Sequence, residues 1–197
     1  MQMAGDATEP DVASMLRLQN GDDLALNEIM TRWQTRLRSH LFRLTGDQSV
    51  ADDLAEETFV RVYQGRARYR PTAAFSTWLF AIAANLFRDL ARWKQRHPTV
   101  TIHDSDGTGT GLEATLSDPH PDAAVQLVRT ETAAAVRDAV LSLPEEQRQA
   151  IVLSEYEGLS HEEIGQITKC SPKAVESRLY RARAILREKL RAKLGGE

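Results

Sequence analysis

The chain contains 197 residues with a formal net charge of −3; 27% of the residues are charged and 42% are hydrophobic. These values are typical of a soluble globular protein with one large or two small domains. The longest uninterrupted apolar run is the seven residues from Trp78 to Ala84, far short of the ~20 that a membrane-spanning helix needs. Residues 1–10 lack the basic start and the apolar core of a secretory signal. The chain has a single cysteine, Cys170, which excludes an internal disulfide and a cysteine-based zinc site within one chain. We therefore expect a cytoplasmic protein without membrane insertion.

The charges are strongly segregated along the chain. Residues 98–122 contain five acids and no Lys or Arg, whereas segments 1–97 and 123–197 each have a net charge of +1. Within those segments, residues 60–97 and residues 169–193 each have a net charge of +7. Because charges act over about 8–10 Å in physiological salt, a basic patch can bind a polyanion despite a negative total. Two such patches suggest two contacts with one nucleic acid, and solvated helix faces are the alternative.

The first part of the chain is predicted to form three helices. Apolar residues recur every three or four positions in residues 22–44, and Gly46 stands where a C-terminal cap is expected. Ser49 can cap a second helix that has acids in its first turn. A third helix is predicted to begin near Ala74 and to end at Pro98. The expected core residues are Ile29, Trp33, Leu37, Leu41 and Leu44 in the first helix, Val50, Leu54, Phe59 and Val62 in the second, and Phe75, Leu79, Ile82, Leu86, Leu90 and Trp93 in the third.

Residues 98–122 are rich in Pro, Gly, Ser, Thr and Asp, which predicts a flexible acidic linker. A structureless stretch of this length is unusual within one compact domain, so we place a domain boundary here. The predicted fold is all-α, with two small helical domains joined by the linker. An N-terminal helical bundle is expected over 22–97 and a four-helix domain with a helix-turn-helix over 123–197, while residues 1–21 are predicted to be an N-terminal tail.

Two consecutive helix starts in the second domain predict the helix-turn-helix. Ser160 and Glu163 form a capping box that begins a short helix ending near Thr168. Ser171 can cap the next helix, in which Pro172 takes the first position. Two helices joined by about four residues have the geometry of a DNA-binding helix-turn-helix.

The helix that follows Pro172 is predicted to have a core face and a DNA-reading face. At 100° per residue, Val175, Leu179 and Ala182 fall on one side together with Leu186 and Leu190. The other side presents donors suited to phosphates and base edges. Glu176, at its edge, repels phosphate unless it accepts a hydrogen bond from a cytosine amine or orients an arginine. An ordinary amphipathic surface helix is the alternative. The candidate DNA-contacting residues are Lys173, Glu176, Ser177, Arg178, Tyr180, Arg181 and Arg183.

A second basic face lies on helix 75–97, beside its apolar stripe. Asn and Arg side chains hydrogen-bond bases or phosphates, and nearby aromatic rings can stack on unpaired bases. Tyr69, in the preceding loop, is expected to hold an everted base together with Asn85. For Trp78 we favour core packing over a contact with DNA, and a buried amide that satisfies backbone groups is the alternative for Asn85. The residues of this face are Trp78, Asn85, Arg88, Arg92 and Arg96.

The second helix carries an acidic cluster of the pattern D-D-x-x-E-E, formed by Asp52, Asp53, Glu56 and Glu57. Carboxylates one turn apart can hold magnesium or manganese when another helix supplies further ligands. They can also form a surface for a basic partner protein, or a merely solvated face. Residues 1–97 contain no second acidic cluster and no Glu-x-x-His motif. We therefore favour the protein contact and predict no metal and no cofactor.

Three stretches of the chain resemble the two conserved regions of the extracytoplasmic-function (ECF) sigma factors, group IV of the sigma-70 family. They are DDLAEETFVRVY, FSTWLFAIAANLFRDLARWKQR and LPEEQRQAIVLSEYEGLSHEEIGQITKCSPKAVESRLYRARAILREKL, in the order and spacing of the family. The resemblance covers most of residues 24–190. It implies a bacterial transcription initiation factor that binds core RNA polymerase and promoter DNA, and that has an anti-sigma factor as its usual partner.

The resemblance also implies roles for particular residues. Residues 22–97 would form sigma region 2, which binds core polymerase through Asp53, Glu56 and Glu57 and opens the minus-ten element. Tyr69 and Asn85 align with positions that capture a flipped non-template base, with Arg88 nearby. Arg92 and Arg96 would help Arg88 to hold the strand.

Residues 123–197 would form sigma region 4, which reads the minus-thirty-five element through Glu176, Ser177, Tyr180 and Arg181. Many members of the family have Arg or Lys where Glu176 stands. The acidic linker would thread toward the active-site channel of the polymerase.

The mechanism expected from these features is binding and not catalysis. The sequence contains no nucleophile–base arrangement and no phosphate-binding glycine loop, and its five histidines are scattered. Two alternatives remain at this point. One is a two-domain helix-turn-helix regulator that acts on duplex DNA without core polymerase, and the other is a metal-dependent hydrolase that uses the acidic helix.

Overall fold

The computed structural model describes the backbone of residues 8–97 and 123–194. These two ranges form eight α-helices and one 3₁₀ turn and contain no strand, so the predicted all-α fold is confirmed. The linker predicted over residues 98–122 lies outside the described residues. The helices are α1 (Thr8–Gln19), α2 (Leu24–Thr45), α3 (Gln48–Gly65), α4 (Phe75–Arg96), α5 (Ala123–Leu141), α6 (Glu145–Glu155), α7 (His161–Thr168) and α8 (Pro172–Leu194), with the 3₁₀ turn Arg66–Arg68 between α3 and α4.

Helix α2 is the central element of the first domain. All five core residues predicted for it are buried. It ends at Gly46, whose φ of 73° lies in the left-handed region and whose backbone N–H donates to the carbonyl of Phe42 at 2.8 Å. The next helix is capped by Asp47, whose side chain accepts from the Val50 N–H at 3.1 Å. The prediction that Ser49 caps this helix is therefore wrong, because Ser49 already lies inside its first turn.

Helix α1 belongs to the first domain, so the predicted tail over residues 1–21 is wrong for Thr8–Gln19. Met15 and Leu18 are completely buried in the core. Asp11 is also buried, and its carboxylate accepts hydrogen bonds from Arg32 Nε at 2.7 Å and from Trp33 Nε1 at 3.0 Å. A carboxylate can be buried at this position because both of its oxygens have a partner.

The buried face of α4 is turned relative to the predicted stripe. Phe75 and Leu79 are buried as expected, but Trp93 is 49% exposed, and Ile82, Leu86 and Leu90 are only half-buried. The helix packs against α2 and α3 of its own domain and also against α7 of the second domain. Phe80 lies against Trp33 and His40 of α2, with 6.0 and 4.7 Å between ring centroids. The additional buried residues are Phe80, Ala83, Ala84 and Phe87.

The second domain consists of α5 to α8 and contains the predicted helix-turn-helix. The capping box at the start of α7 is present in both directions between Ser160 and Glu163. The turn that follows α7 is tight, since a Cβ at Gly165 would lie 2.7 Å from the carbonyl oxygen of Cys170. Ser171 Oγ accepts from the Ala174 N–H at 3.2 Å and so caps α8, as predicted. Of the core residues predicted for α8, Val175, Leu179 and Ala182 are buried, whereas Leu186 and Leu190 are half-buried.

The two domains pack against each other. Helix α4 contacts α7, and α2 contacts both α5 and α6. The buried apolar residues of both domains form one continuous cluster. Among the described residues, no helix is long and apolar enough to cross a membrane.

Candidate nucleic-acid interface

An open pocket of about 300 Å³ lies between α3 and α4, on the side of α4 that faces away from its buried residues. We call it the α4 pocket. Trp78, Ile82 and Leu86 give it apolar walls, and Asn85 together with two arginines places hydrogen-bond donors beside them. This combination suits a flat ligand with a polar edge, such as a nucleobase. The pocket is lined by Arg61, Gly65, Arg68, Trp78, Ile82, Asn85, Leu86 and Asp89.

Asn85 is held in one orientation by its neighbour one helical turn further along. Arg88 Nη2 donates a short hydrogen bond to Asn85 Oδ1, and Arg88 Nε donates to the carbonyl of Ala84 at 3.2 Å. Since the carboxamide oxygen is engaged, the amide nitrogen of Asn85 is the group that can bind a base. Asn85 and Arg88, each predicted to contact the minus-ten element, are thus in direct contact with each other.

Tyr69 lies behind the pocket wall and not in the pocket. Its ring is 2% exposed and meets Trp78 edge-on, with 4.9 Å between ring centroids. Burial raises the pKa of its phenol. Gln19 Nε2 fixes this segment by donating to the carbonyls of Arg66 at 2.7 Å and Tyr69 at 2.9 Å. In this arrangement Tyr69 supports Trp78 from behind and is not positioned to stack on a base.

Arginines extend along α4 from the pocket to the C-terminal end of the helix. Arg88 is half-buried and Arg96 is exposed. The side chain of Arg92 is 70% exposed, and its nearest carboxylate, that of Asp89, lies 4.0 Å away. Exposed guanidinium groups along one helix are suited to bind the phosphates of a nucleic-acid strand.

The acidic cluster on α3 is divided by its ion pairs. Asp52 is bound bidentately by Arg38, with Nε–Oδ1 and Nη2–Oδ2 distances of 2.6 and 2.8 Å, and these contacts lower the pKa of its carboxyl. Asp53 and Glu56 are exposed, and Glu57 accepts from Arg61 Nε at 2.6 Å. Of the three acids predicted to contact polymerase, Asp53 and Glu56 are therefore exposed, whereas Glu57, like Asp52, is paired with an arginine. No group of three or more metal-ligating side chains comes together in the described part of the chain.

The predicted reading face of α8 is largely exposed. Tyr180 is 77% exposed, and it projects from the helix together with neighbouring polar and charged residues. The exposed members of the predicted set are Lys173, Glu176, Ser177, Tyr180, Arg181 and Arg183.

Two arginines of the predicted set join α8 to α6. The side chain of Arg178 is only 19% exposed, pairs with Glu146 at 2.8 Å and donates to Cys170 Sγ at 3.1 Å. Arg183 is half-exposed and pairs with Glu155 at 2.8 Å. Arg178 thus fixes α8 to α6, a role that sequence spacing did not indicate because its partner Glu146 lies on another helix.

Sequence comparison identifies both domains. The model of sigma-70 region 2 matches residues 29–97, and the model of sigma-70 region 4 matches residues 133–186. The RNA polymerase sigma-H factor of Pseudomonas aeruginosa is 32% identical over 184 residues, which cover 90% of this chain and 92% of that protein. The ECF RNA polymerase sigma-E factor of Haemophilus influenzae is 30% identical over 183 residues, covering 91% and 95% of the two chains. The chain belongs to the ECF sigma factors of the sigma-70 family.

Solved structures share the fold of this sigma factor. The sigma factor RpoE of Bartonella quintana, in complex with the anti-sigma factor NepR, is 25% identical with a TM-score of 0.62, and the match covers 84% of this chain and 96% of that one. CnrH, in complex with the cytosolic domain of CnrY, is 24% identical with a TM-score of 0.66, covering 93% and 98% of the two chains. The match to both sigma regions, in order, favours the sigma factor over the regulator and over the hydrolase.

The sequence did not single out two residues of the α4 pocket in this sigma factor, Arg61 and Arg68. Both lie in the basic segment 60–97, which was the available signal. They were missed because a projection of α4 alone cannot show residues that α3 and the 3₁₀ turn contribute to the same pocket.

Proposed function

We propose that this ECF sigma factor, which directs core RNA polymerase to promoters, captures a flipped base of the minus-ten element in its α4 pocket. The observation that carries the proposal is the joint presence of an aromatic wall and an oriented amide in one base-sized pocket. Trp78 supplies a ring that is fixed from behind by Tyr69, and Asn85 supplies a donor for the edge of the base.

The arginines on α4 would hold the strand while the base is extruded. Unpairing and unstacking one base costs a few kcal/mol. Stacking on an aromatic side chain contributes about 1–3 kcal/mol per base, so one pocket can offset most of that cost. Arg88, Arg92 and Arg96 add phosphate contacts that do not depend on the sequence of the strand.

The exposed face of α8 would read the minus-thirty-five element in the major groove. Lys173 and Arg181 supply donors for phosphates or guanine, and Ser177 and Tyr180 supply hydroxyl groups. Glu176 is exposed beside them and is suited to accept from a cytosine amine. A carboxylate at this position predicts a preference for cytosine within the element.

The acidic surface of Asp53, Glu56 and Glu57 would bind a basic surface of core polymerase. The relative RpoE was solved with an anti-sigma factor, and we infer that this chain has a partner of the same kind. Core polymerase and promoter DNA lie in the bacterial cytoplasm, so we propose that the protein acts there.

The base-capture step is tested by Asn85→Ala in holoenzyme reconstituted with core polymerase. A library of random minus-ten elements is transcribed, and open complexes are footprinted with permanganate. Because one hydrogen bond contributes about 0.5–1.5 kcal/mol, we expect a roughly two- to tenfold loss of open complex and a loss of base preference at one position. Core binding, measured separately by gel filtration, is expected to be unchanged.

The matched control is Asn27→Ala, which removes an exposed amide from α2, outside the pocket. It is expected to leave both the open complex and the base preference intact. Unaltered base preference in Asn85→Ala, or an equal loss of core binding and open complex, would contradict the assignment.

A further inference from the structure

The last turn of α4 carries an exposed tryptophan. The spacing of apolar residues predicts Trp93 as a core residue, but it is 49% exposed in the folded chain. An aromatic side chain can bury ~150–250 Å² of surface, so leaving half of a tryptophan in water gives up a large part of the stabilisation that it could provide. The proposed capture of a base in the α4 pocket does not use this residue.

Trp93 continues the apolar wall of the α4 pocket. At about 100° per residue it falls between Ile82 and Leu86 when α4 is viewed along its axis. Both of these residues are half-buried and line the pocket. Leu86 stands two turns before Trp93, or ~10 Å along the helix. The exposed indole is therefore part of a contiguous apolar strip, and contiguous apolar surface marks a binding site where an isolated exposed residue does not.

His97 holds the indole of Trp93 in one orientation. The two rings are stacked, with 5.1 Å between their centroids and 25° between their planes. The backbone N–H of His97 donates to the carbonyl of Trp93 at 2.9 Å, and His97 Nδ1 lies 3.1 Å from the same oxygen. A ring that is already held loses little conformational entropy when a further ring stacks on it, so the arrangement favours binding of a flat ligand.

The charges around Trp93 favour an anionic ligand. Arg92, Lys94 and Arg96 are all exposed at this end of α4. Asp89 is the only acid in residues 60–97, and its carboxylate lies 4.0 Å from Arg92. An apolar protein segment would gain nothing from these cations. A nucleotide uses both features, because its phosphate binds a guanidinium and its base stacks on an indole.

We propose that Trp93 is a second stacking site, which takes a further unpaired base of the strand whose flipped base enters the α4 pocket. The proposal rests on the proposed function, because it assumes that α4 binds this strand. Trp93 stands eight residues beyond Asn85, or ~12 Å along the helix axis. At the ~3.4 Å rise of one strand of duplex DNA, this distance spans at most three or four nucleotides. Stacking accepts any base, so the second stacking site adds affinity for the strand without adding sequence preference.

The fluorescence of 2-aminopurine tests the stacking directly, because its emission falls when it stacks on another ring. Reconstituted holoenzyme is mixed with promoter fragments that have a preformed bubble and 2-aminopurine at one non-template position at a time. Trp93→Ala removes the ring, Trp93→Leu keeps an apolar side chain without a π face, and Trp93→Phe restores a π face. We expect one position, within four nucleotides of the base that Asn85 binds, where wild type and Trp93→Phe quench the emission and the other two variants do not.

Strand affinity gives the second readout. We expect Trp93→Ala and Trp93→Leu to bind the bubble fragment about five- to hundredfold more weakly, equally for every minus-ten sequence, with core binding unchanged. The matched control is Leu24→Ala, which truncates a 71% exposed apolar side chain of α2 outside the basic segment and should behave as the wild type. Circular dichroism checks that each variant retains its helices.

Three results would overturn the second stacking site. The first is a Trp93→Leu holoenzyme that matches the wild type in both measurements. The second is an equal loss of core binding and strand binding, which would place Trp93 against the polymerase. The third is a changed base preference in Trp93→Leu, which would show sequence reading in place of stacking.

Asn85→Ala separates this proposal from the proposed function. If the second stacking site alone fails, Asn85→Ala still loses base preference at its own position while the Trp93 variants behave as the wild type. If the proposed function fails, Asn85→Ala keeps the base preference of the wild type, and the second stacking site fails with it.

Discussion

Leu18→Ala tests whether α1 is a structural part of the first domain. Leu18 is fully buried against the core, so the substitution removes three buried carbon atoms and leaves a cavity. Leucine-to-alanine substitutions at such positions cost ~3–5 kcal/mol. For a domain of 60–100 residues, each kcal/mol lowers the melting temperature by roughly 4–8 °C, so we expect a decrease of at least ~12 °C.

Tryptophan fluorescence reports on this domain alone, because Trp33, Trp78 and Trp93 all lie in it. Trp33 is a direct reporter of α1, since its indole N–H donates to Asp11. Thermal and urea unfolding of the full chain are followed at the tryptophan signal. The fluorescence of native Leu18→Ala is also compared with wild type.

The matched control is Leu16→Ala, two residues earlier on the same helix. Leu16 is 43% exposed, so its truncation is expected to cost about 1 kcal/mol or less. A small and equal shift in both variants would refute the reasoning, because it would show that α1 does not pack on the core in solution.

Three further predictions concern the second domain and the interface. Gly165→Ala places a methyl carbon 2.7 Å from the carbonyl oxygen of Cys170. We expect this contact to destabilise the helix-turn-helix by ~1–3 kcal/mol. Undiminished protection of the α7 and α8 amides from hydrogen exchange would contradict this expectation. Burial alone raises the pKa of Glu157, but hydrogen bonds and charges from His40 and Arg36 outweigh it, so the pKa lies below its ordinary 4.5. The stabilisation by Glu157 is therefore complete at pH values above 4.5 and is lost as the pH falls through the lower pKa of the folded state. In Glu157→Gln, the free energy of unfolding should fall less steeply with decreasing pH in this acidic range than in the wild type. An unchanged pH dependence would count against the ion pair. Arg181→Ala should relax base preference at one position of the minus-thirty-five element, with a loss of ~1–3 kcal/mol of discrimination measured in holoenzyme footprints. Arg187→Ala, further along α8, should leave this preference unchanged. Equal effects of the two substitutions would argue against α8 as the reading helix.

Local sequence signals predicted most of the helices because their causes are local. The capping box of Ser160 and Glu163 and the glycine at Gly46 each act within one turn, so spacing alone located them. The cap at Asp47 was misplaced by two residues because Asp and Ser are equally good acceptors and only the backbone decides between them.

Long-range contacts account for what the sequence did not show. Helix α1 lies in the first domain through contacts with residues distant in the sequence: Met15 and Leu18 are buried in the core, and Asp11 pairs with Arg32 and Trp33. The burial of Phe80 on α4 depends on its contacts with Trp33 and His40 of α2, and the burial of Glu157 depends on its contacts with Arg36 and His40 across the domain interface. Helical periodicity records neither kind of contact.

The candidate site was predictable to the extent that one helix carries it. Asn85 and Arg88 lie on one face of α4, and the exposed residues predicted to read DNA lie on one face of α8. A projection of each helix reveals these faces. The burial of Tyr69 behind Trp78 was not predictable, because it depends on how the loop after the 3₁₀ turn folds back onto α4 and is held by Gln19.

Multi-round transcription by purified core RNA polymerase, with and without this chain, on a library of random upstream sequences decides whether the two domains act as we describe. We expect the chain to co-elute with core polymerase and to enrich promoters that carry two conserved elements about 25 base pairs apart. Start sites that are the same with and without the chain, or a chain that selects duplex DNA by itself and leaves the polymerase unaffected, would contradict the account.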